Sequence, residues 1–244
     1  MGAPMIFINP GHGGTDTGAV CGGFVEKTLN LTVGLYLRDI LRAMGYGAYM
    51  TREADVKGGQ TNIMNQMKTL LKTTPIALAV SIHHNAGGGI GCEVFRQAKS
   101  DKSLQFANAI NEEFKKTGQT SRGVKTRTLS NGKDYYFFNR EPFALGVTSV
   151  LTEYAFVDNP KSTVFIDSPE DLKKEAQAIA DGIHKVIGYK PPVQAPVTRP
   201  SCEECKDIAE LKKSLTAAQE RAERAEKEAS ALKAKIEAAK AALN

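Results

Sequence analysis

The first apolar run of the chain ends abruptly in a glycine-rich loop. Residues 5–8, Met-Ile-Phe-Ile, predict a short buried strand. Pro10 and four glycines among the next eight residues cannot continue that strand, because proline lacks an amide donor and glycine favours tight turns. The same loop carries His12. The sequence therefore predicts a histidine presented at the carboxyl end of a core strand, which is where α/β sheets bind ligands.

Three further stretches carry ionisable residues at the ends of predicted elements. Glu26 begins a helical pattern, His83 ends a second apolar run, and Glu153 ends a third. A single histidine in such a loop proves little, and a lone glutamate at a helix start is usually only a helix-start charge. Two imidazoles and one carboxylate on zinc, with a fourth position left to water, form a catalytic set, and the spare carboxylate is then available as a general base.

The residues around these positions resemble zinc-dependent N-acetylmuramoyl-L-alanine amidases of the amidase_3 type. The family's Gly-His-Gly-Gly-x-Asp-x-Gly-Ala loop is matched by residues 11–19, and its Glu-Lys-x-x-Asn-Leu segment by residues 26–31. Its Ser-Ile/Leu-His-x-Asn-Ala segment is matched by residues 81–86, and its Glu-x-Gly/Ala-Phe-x-x-Asn segment by residues 153–159. Four motifs in the family's order make the resemblance specific, and it extends over residues 5–188.

The resemblance implies roles for individual residues. It implies His12, Glu26 and His83 as ligands of a zinc ion, and Glu153 as the catalytic carboxylate. The bond it implies is the amide between N-acetylmuramic acid and L-alanine of the peptidoglycan stem peptide. The zinc set by itself predicts only metal-assisted amide hydrolysis. A zinc peptidase that cuts within the stem peptide, and a non-catalytic wall-binding scaffold, stay open as alternatives.

Substrate contacts are less sharply defined by the sequence. Asn85 and Arg140 are predicted substrate-binding residues, and Arg140 matches an arginine position of the family, where it can hold a carboxylate of the stem peptide. A surface salt bridge is an equally open interpretation of Arg140. The chain departs from the family after Thr51-Arg52, where residues 59–62 read Gly-Gln-Thr-Asn instead of Leu-x-x-Arg, and it has Ala155 where glycine is common.

Strands and helices alternate up to residue 188, which predicts an α/β domain with a mostly parallel sheet covered by helices on both faces. Neighbouring strand residues point to opposite faces, so only His83 of the pair His83-His84 is expected at the metal, with His84 behind it or on the surface. Residues 118–134 are predicted to be a polar, basic loop. The predicted strands are 5–8, 46–51, 76–82, 91–95, 135–138 and 148–153, and the predicted helices are 26–44, 62–72, 104–114 and 169–187.

The chain divides into three predicted parts: a catalytic domain at 1–188, a proline-rich linker at 189–201 and a helical coiled-coil tail at 202–244. Apolar residues of the tail alternate at spacings of three and four, which is typical of a coiled-coil seam and predicts a homo-oligomer. A solvent-exposed single helix is the alternative. The seam residues are Ile208, Leu211, Leu215, Ala218, Ala222, Ala225, Ala229, Leu232, Ile236, Ala239 and Leu243.

Cysteine usage predicts no disulfide framework. Cys21 and Cys92 are isolated and are interpreted as inert core or loop residues. Cys202 and Cys205 form a lone CxxC without a second pair, which makes a zinc site within one chain a poor interpretation. In an oligomer the same residues can bind metal or cross-link chains.

Charge and hydropathy narrow the partners and the location. The 244 residues carry a net charge of +5, and because the tail is balanced the positive excess lies in the first 200 residues. A basic enzyme domain is attracted to an acidic polymer such as peptidoglycan, whereas no basic stripe or motif for nucleic acid is present. No apolar run is long enough to insert into a membrane. The N-terminus shows no signal peptide pattern, which favours an endolysin made in the host cytoplasm and acting on the wall after release, with a mother-cell lysin as the alternative.

Overall fold

Strands and helices alternate through residues 2–191, which are the residues described by the computed structural model. The strands are β1 (Met5–Pro10), β2 (Val20–Cys21), β3 (Phe24–Val25), β4 (Gly47–Met50), β5 (Ile76–Asn85), β6 (Cys92–Arg96), β7 (Ser121–Lys125) and β8 (Ser149–Phe156). The helices are α1 (Glu26–Ala43), α2 (Gln60–Leu71), α3 (Asp101–Lys116), α4 (Phe137–Ala144), α5 (Pro160–Thr163) and α6 (Pro169–Ile187).

Six strands form one sheet in the order β4-β1-β5-β8-β6-β7. The pairs β1–β4, β1–β5, β5–β8 and β6–β7 are parallel, and only β6 and β8 run antiparallel. The predicted α/β class with a mostly parallel sheet is confirmed. Because β1, β5 and β8 are parallel neighbours, their carboxyl ends meet at one edge of the sheet.

Helices cover the two faces of the sheet unequally. On the face we call the closed face, α1, α3 and α6 bury a continuous core that includes Ile8, Leu37, Val80 and Ile179. On the opposite face, the open face, α2 and α4 bury a much smaller cluster. That cluster consists of Phe7, Met64, Met67, Ala79, Phe138 and Val147. The cover of the open face stops short of the carboxyl edge of the sheet, where a cleft is left.

Two predictions in the middle of the chain are wrong. Residues 118–134 were expected to be a loop, but they contain β7, a charged edge strand of sequence Ser-Arg-Gly-Val-Lys. Charged side chains commonly protect sheet edges, so the polar composition concealed a strand. Residues 135–138 were expected to be a strand, but α4 begins at Phe137 because Phe138 packs on Phe7 as part of the open-face cover. Tertiary packing here overrides the strand preference of aromatic residues.

The last helix follows its capping signals closely. The Ser168 side chain accepts a hydrogen bond from the Asp171 amide at 3.2 Å, and Pro169 occupies the first turn. Gly188 ends α6 with φ of 61°, a left-handed conformation that favours glycine. The predicted tail at 202–244 lies outside the described residues, as does the linker from residue 192 onward. None of the helices described in residues 2–191 has the length and apolarity needed to cross a membrane.

Candidate metal centre and cleft

Three side chains from separate elements converge at the carboxyl edge of the sheet. His12 comes from the loop after β1, Glu26 is the first residue of α1, and His83 lies near the end of β5. Their potential ligand atoms all lie within 4.8 Å of one another. Glu26 Oε1 is 3.1 Å from His12 Nε2 and 3.0 Å from His83 Nδ1. The structure therefore brings together the three residues predicted as metal ligands.

The loop backbone is shaped to let these side chains approach. His12 adopts a φ of 61°, which is uncommon for a residue other than glycine and which aims its ring toward Glu26. Gly11 faces the His83 ring so closely that any Cβ there would overlap it. Gly18, with φ of 63°, similarly approaches both Glu26 and His12. Gly11 and Gly18 are thus required by close packing around the cluster.

The side chain of Arg52 fixes the His12 loop by hydrogen bonds to backbone carbonyl oxygens. Its guanidinium is buried and donates to the carbonyl oxygens of Pro10 at 3.1 Å, Gly11 at 2.9 Å and Lys27 at 2.8 Å. Because Lys27 follows Glu26, this one side chain ties the His12 loop to the start of α1. No role was predicted for Arg52 from the sequence, although its position two residues after the end of β4 was a usable signal.

Both ring nitrogens of His12 face carboxylates. Nε2 faces Glu26, and Nδ1 lies 2.9 Å from Asp16 Oδ1. Carboxylate oxygens only accept hydrogen bonds, so a doubly protonated ring satisfies both contacts. Burial alone would lower the pKa of His12, but the hydrogen bonds and negative charges of Glu26 and Asp16 raise it to about 9. Asp16 was part of the matched motif, but its contact with His12 was not predicted.

The Glu26 carboxylate is held at both oxygens. Oε2 accepts from the Ala19 amide at 2.9 Å, and Oε1 accepts from the His84 amide at 3.2 Å and, more weakly, from Asn30 Nδ2 at 3.4 Å. Burial raises the pKa of Glu26, but hydrogen bonds and positive charge from His12 and His83 outweigh it and hold the pKa well below its usual range. Glu26 is therefore a fixed anion, and the residue is only 5% exposed.

Glu153 lies beside this cluster in the sheet. It is the register partner of His83 across the β5–β8 ladder, so both side chains are on the open face. Its Oε2 atom is buried without a hydrogen-bond partner among the described residues. Burial raises the pKa of Glu153 well above its ordinary value, and the charges of Glu26 and Glu93 add to the effect. A carboxyl group with a raised pKa and an unpartnered oxygen is suited to carrying a proton.

Glu93 is the other register neighbour of Glu153, across the β8–β6 ladder. Like charges directly opposite each other destabilise a sheet. Here Glu93 is neutralised, because its Oε1 bonds both Arg122 Nε and Lys125 Nζ, the latter at 2.7 Å. The two glutamates therefore have different environments, and only Glu153 is left without a cationic partner in this region.

The cluster opens into a cleft of about 470 Å³ on the open face. The residues that line it include the segment 57–60 and, in another part of the chain, residues 135–138 together with Arg140. Arg140 Nη1 donates to the carbonyl oxygens of Asp134 and Tyr135, and its Nε pairs with Glu141 at 2.9 Å. The structure is therefore compatible with both interpretations of Arg140, because the residue lines the cleft and also forms a salt bridge with Glu141.

Asn85, the other predicted substrate contact, is placed differently. It ends β5, and its Oδ1 accepts from the amide of Ala86 at 2.9 Å. The side chain is not among those that line the cleft. Asn85 therefore shapes the turn after β5, and its prediction as a substrate contact receives no support from the cleft geometry.

The fold and the site together define a class of protein. A mostly parallel α/β sheet carries, at its carboxyl edge, two imidazoles and a carboxylate close enough to hold one metal ion, with the carboxyl group of Glu153 beside them in an open cleft. Residues 6–185 match the model of the Amidase_3 family, described as N-acetylmuramoyl-L-alanine amidase. The chain belongs to this family, and the predicted enzyme class is confirmed.

Individual relatives agree with this assignment. The germination-specific N-acetylmuramoyl-L-alanine amidase of Bacillus subtilis is 28% identical over 203 residues, covering 78% of this chain and 82% of the relative. The endolysin of Bacillus phage SPP1 is 28% identical over 195 residues, covering 76% of this chain and 67% of the relative. The solved catalytic domain of CwlV, an amidase from Bacillus (Paenibacillus) polymyxa, is 28% identical with a TM-score of 0.66, covering 77% of this chain and 99% of that domain.

Proposed function

We propose that His12, Glu26 and His83 hold a zinc ion. The donor set fits zinc, which takes imidazole nitrogens and carboxylate oxygens in catalytic sites and leaves a position for water. The geometry supports the proposal, because two ring nitrogens converge on the same Glu26 oxygen at 3.0 and 3.1 Å, a distance at which a shared cation or proton is needed. The Asp16 carboxylate behind His12 is the partner expected to orient a metal-binding histidine.

Zinc, when bound, polarises the amide carbonyl and lowers the pKa of water. Glu153 takes the proton of the attacking water and returns it to the nitrogen of the leaving amine. The observation that carries this role is its buried, unpartnered Oε2 on the face shared with His83. Glu26 stays ionised throughout, since its carboxylate is fixed by hydrogen bonds at both oxygens.

The substrate is the amide between N-acetylmuramic acid and L-alanine, in line with the family. Arg140 and the aromatic segment 135–138 line the cleft, where an extended peptide can lie with a carboxylate toward the guanidinium. A stem peptide carries such carboxylates. We therefore propose that Arg140 contributes to binding of the stem peptide.

The test is clearance of purified cell walls followed by identification of the newly freed amine. Wild-type protein, Glu153→Ala and a chelator-treated sample are compared, with Glu113→Gln as the matched control. Glu113 is likewise a buried glutamate, but unlike Glu153 it is paired, with Lys116 and Lys185, and it lies on α3 of the closed face. We expect wild type and Glu113→Gln to clear walls and release N-terminal L-alanine, and Glu153→Ala to be slower by about 10²–10⁴-fold.

Other outcomes select other functions. A different freed amine would identify a peptidase that cuts within the stem peptide. Clearance by Glu153→Ala or by the chelated sample would refute the proposed mechanism. Zinc-loaded wild type that binds walls but clears none would favour the non-catalytic scaffold.

For the rest of the chain we propose that residues 202–244 form a coiled-coil tail that self-associates, joined to the enzyme by the linker at 189–201. The observation behind it is the heptad spacing of apolar residues. Sedimentation of the full-length protein and of Leu215→Lys tests it, with the oligomer expected only in the former. The phage relative supports a role as an endolysin and the germination-specific relative a role in spores, and these separate by comparing vegetative walls with spore cortex as substrate.

A further inference from the structure

A buried polar chain lies behind the metal centre, on the closed face. His84 Nδ1 is 2.8 Å from Asn30 Oδ1, and His84 Nε2 is 3.1 Å from Glu175 Oε2. Asn30 and Glu175 are fully buried, and His84 is 1% exposed. These residues come from α1, β5 and α6, so the chain joins two helices to the central strand. Of the two predicted locations of His84, behind the metal or on the surface, the structure excludes the surface.

Hydrogen-bond chemistry determines where the protons are. Asn30 donates its Nδ2 group to the Gly11 carbonyl at 3.2 Å, so its Oδ1 faces His84 and must accept. His84 Nδ1 therefore carries a proton. The contact between Nε2 and Glu175 then needs one further proton, either on the ring or on the carboxyl group. The pair His84–Glu175 thus has no net charge in either arrangement.

The His84–Glu175 pair is connected to all three proposed zinc ligands through Asn30 and through the backbone of β5. Asn30, which it orients, bonds the Gly11 carbonyl directly before His12 and also contacts Glu26 Oε1. The His84 amide donates to the same Glu26 oxygen. His84 itself directly follows His83 in β5.

The His84–Glu175 pair is expected to stabilise the core no better than apolar residues of similar volume would. Replacement of a buried ionisable pair by apolar residues of similar volume is often neutral or stabilising. Glu175 Oε1 is moreover buried without a hydrogen-bond partner within residues 2–191. A position deep in the apolar interface between α1, α6 and the sheet would therefore favour leucine if packing were its only task.

We infer that His84 and Glu175 are positioning residues that fix the Asn30 amide and the β5 backbone, and through them the geometry of the zinc ligands. The inference rests on the proposed zinc site. Loss of outer partners of metal ligands typically weakens metal binding by about 10–100-fold. We expect a loss of that size when the pair is removed.

The test measures Zn²⁺ affinity by competition with a chromophoric chelator, together with the free energy of unfolding in EDTA. The double variant His84→Leu/Glu175→Leu is expected to bind zinc about 10–100-fold more weakly, and because it leaves the buried Asn30 Oδ1 without a donor it is also expected to unfold more easily than wild type. Glu175→Gln is expected to bind like wild type, because its amide can donate to a neutral His84. The control Ile179→Ala, in the same helix and fully buried, is expected to unfold more easily with zinc affinity unchanged.

The outcomes separate the inference from the zinc assignment. Wild-type affinity in the double variant would overturn the inference, as would an equal loss of affinity in Ile179→Ala. If the double variant does not fold, the contrast between Glu175→Leu and Glu175→Gln decides in the same way. Wild-type protein that binds no stoichiometric zinc would instead refute the proposed metal site itself.

Discussion

The two faces of the sheet are built for different tasks. The closed face buries a continuous apolar core under three long helices, whereas the open face has a small cluster under α2 and the two-turn α4. The cleft and the proposed zinc site lie where the cover of the open face ends. Helices that cover a face completely leave no room for substrate, so chemistry occupies the face whose cover is incomplete.

Two consecutive residues of β5, His83 and His84, point to opposite faces of the sheet. His83 points to the open face and its ring approaches Glu26, while His84 points to the closed face and bonds Glu175. Glu26 belongs to a helix of the closed face, yet its carboxylate reaches the site over the sheet edge. The open site therefore depends on the closed face for its support.

The largest contrast is expected in packing. Leu37→Ala, fully buried on the closed face, should lower the free energy of unfolding by about 3–5 kcal/mol, whereas Met64→Ala in the open-face cluster should lower it by about 2–3 kcal/mol, because a site at the rim can collapse around the lost atoms. Urea denaturation in EDTA measures both. Equal losses would show that the open face is packed as tightly as the closed face.

The next prediction concerns the contact between Asp16 and His12, one of the three proposed zinc ligands. Asp16→Asn keeps the shape of the side chain but removes the charge facing His12 Nδ1, so we expect zinc affinity to fall by about 10–100-fold. Asp55→Asn is the matched control. Asp55 lies against the same loop, accepting from the Gly14 amide and pairing with Lys27, but it does not contact His12. A comparable loss in both variants would assign the effect to the loop as a whole.

A smaller effect follows from the pKa of His12. In metal-free protein this pKa is raised from 6.5 to about 9, so the protonated ring stabilises the fold fully below pH 6.5 and the contribution is lost as the pH rises through 9. We expect a decrease of about 1–2 kcal/mol across that interval, after allowing for solvent screening of a partly exposed ring. His12→Gln should remove the decrease. Zinc-saturated protein should also lack it, and a decrease that persists with zinc would argue against metal binding at Nε2.

The smallest effect concerns the cleft wall. Arg140→Gln removes a cation that lines the cleft, so KM for soluble muropeptide should rise about three- to tenfold, or about 0.7–1.4 kcal/mol, with kcat unchanged. Arg38→Gln, a matched change to an arginine on α1 paired with Glu53, should leave both constants unchanged. An unchanged KM for Arg140→Gln would exclude the substrate-binding interpretation of Arg140 and favour the salt bridge with Glu141 as its role.

The residues of the candidate metal site could be predicted because each of them is marked by a short stretch of sequence around it. A strand interrupted by glycines, a glutamate at a helix start and a histidine at a strand end each indicate the edge of a sheet, and the parallel arrangement brings them together. What the sequence could not provide was the partner across the molecule. Arg52 illustrates this limit, because the three carbonyl oxygens to which it donates belong to Pro10, Gly11 and Lys27, which are distant from it in the sequence.

One missed residue did leave a signal. Glu175 is an acid on the apolar stripe of α6, in line with Leu172, Ala176, Ile179 and Ile183. Buried carboxylates without partners are costly, so an acid on such a stripe indicates a hidden base. The identity of that base, His84, depends on how α6 docks against β5, which periodicity does not encode.

The ladder between β5 and β8 also sets an order of events during synthesis. His12, Glu26 and His83 all emerge from the ribosome within the first 85 residues, whereas Glu153 emerges much later and meets His83 only when β8 pairs with β5. On the proposed mechanism, a partly made chain could hold metal but would have no proton carrier. On that mechanism, hydrolytic capacity arises only once β8 has joined the sheet, so the last strand of the sheet to be synthesised completes the site.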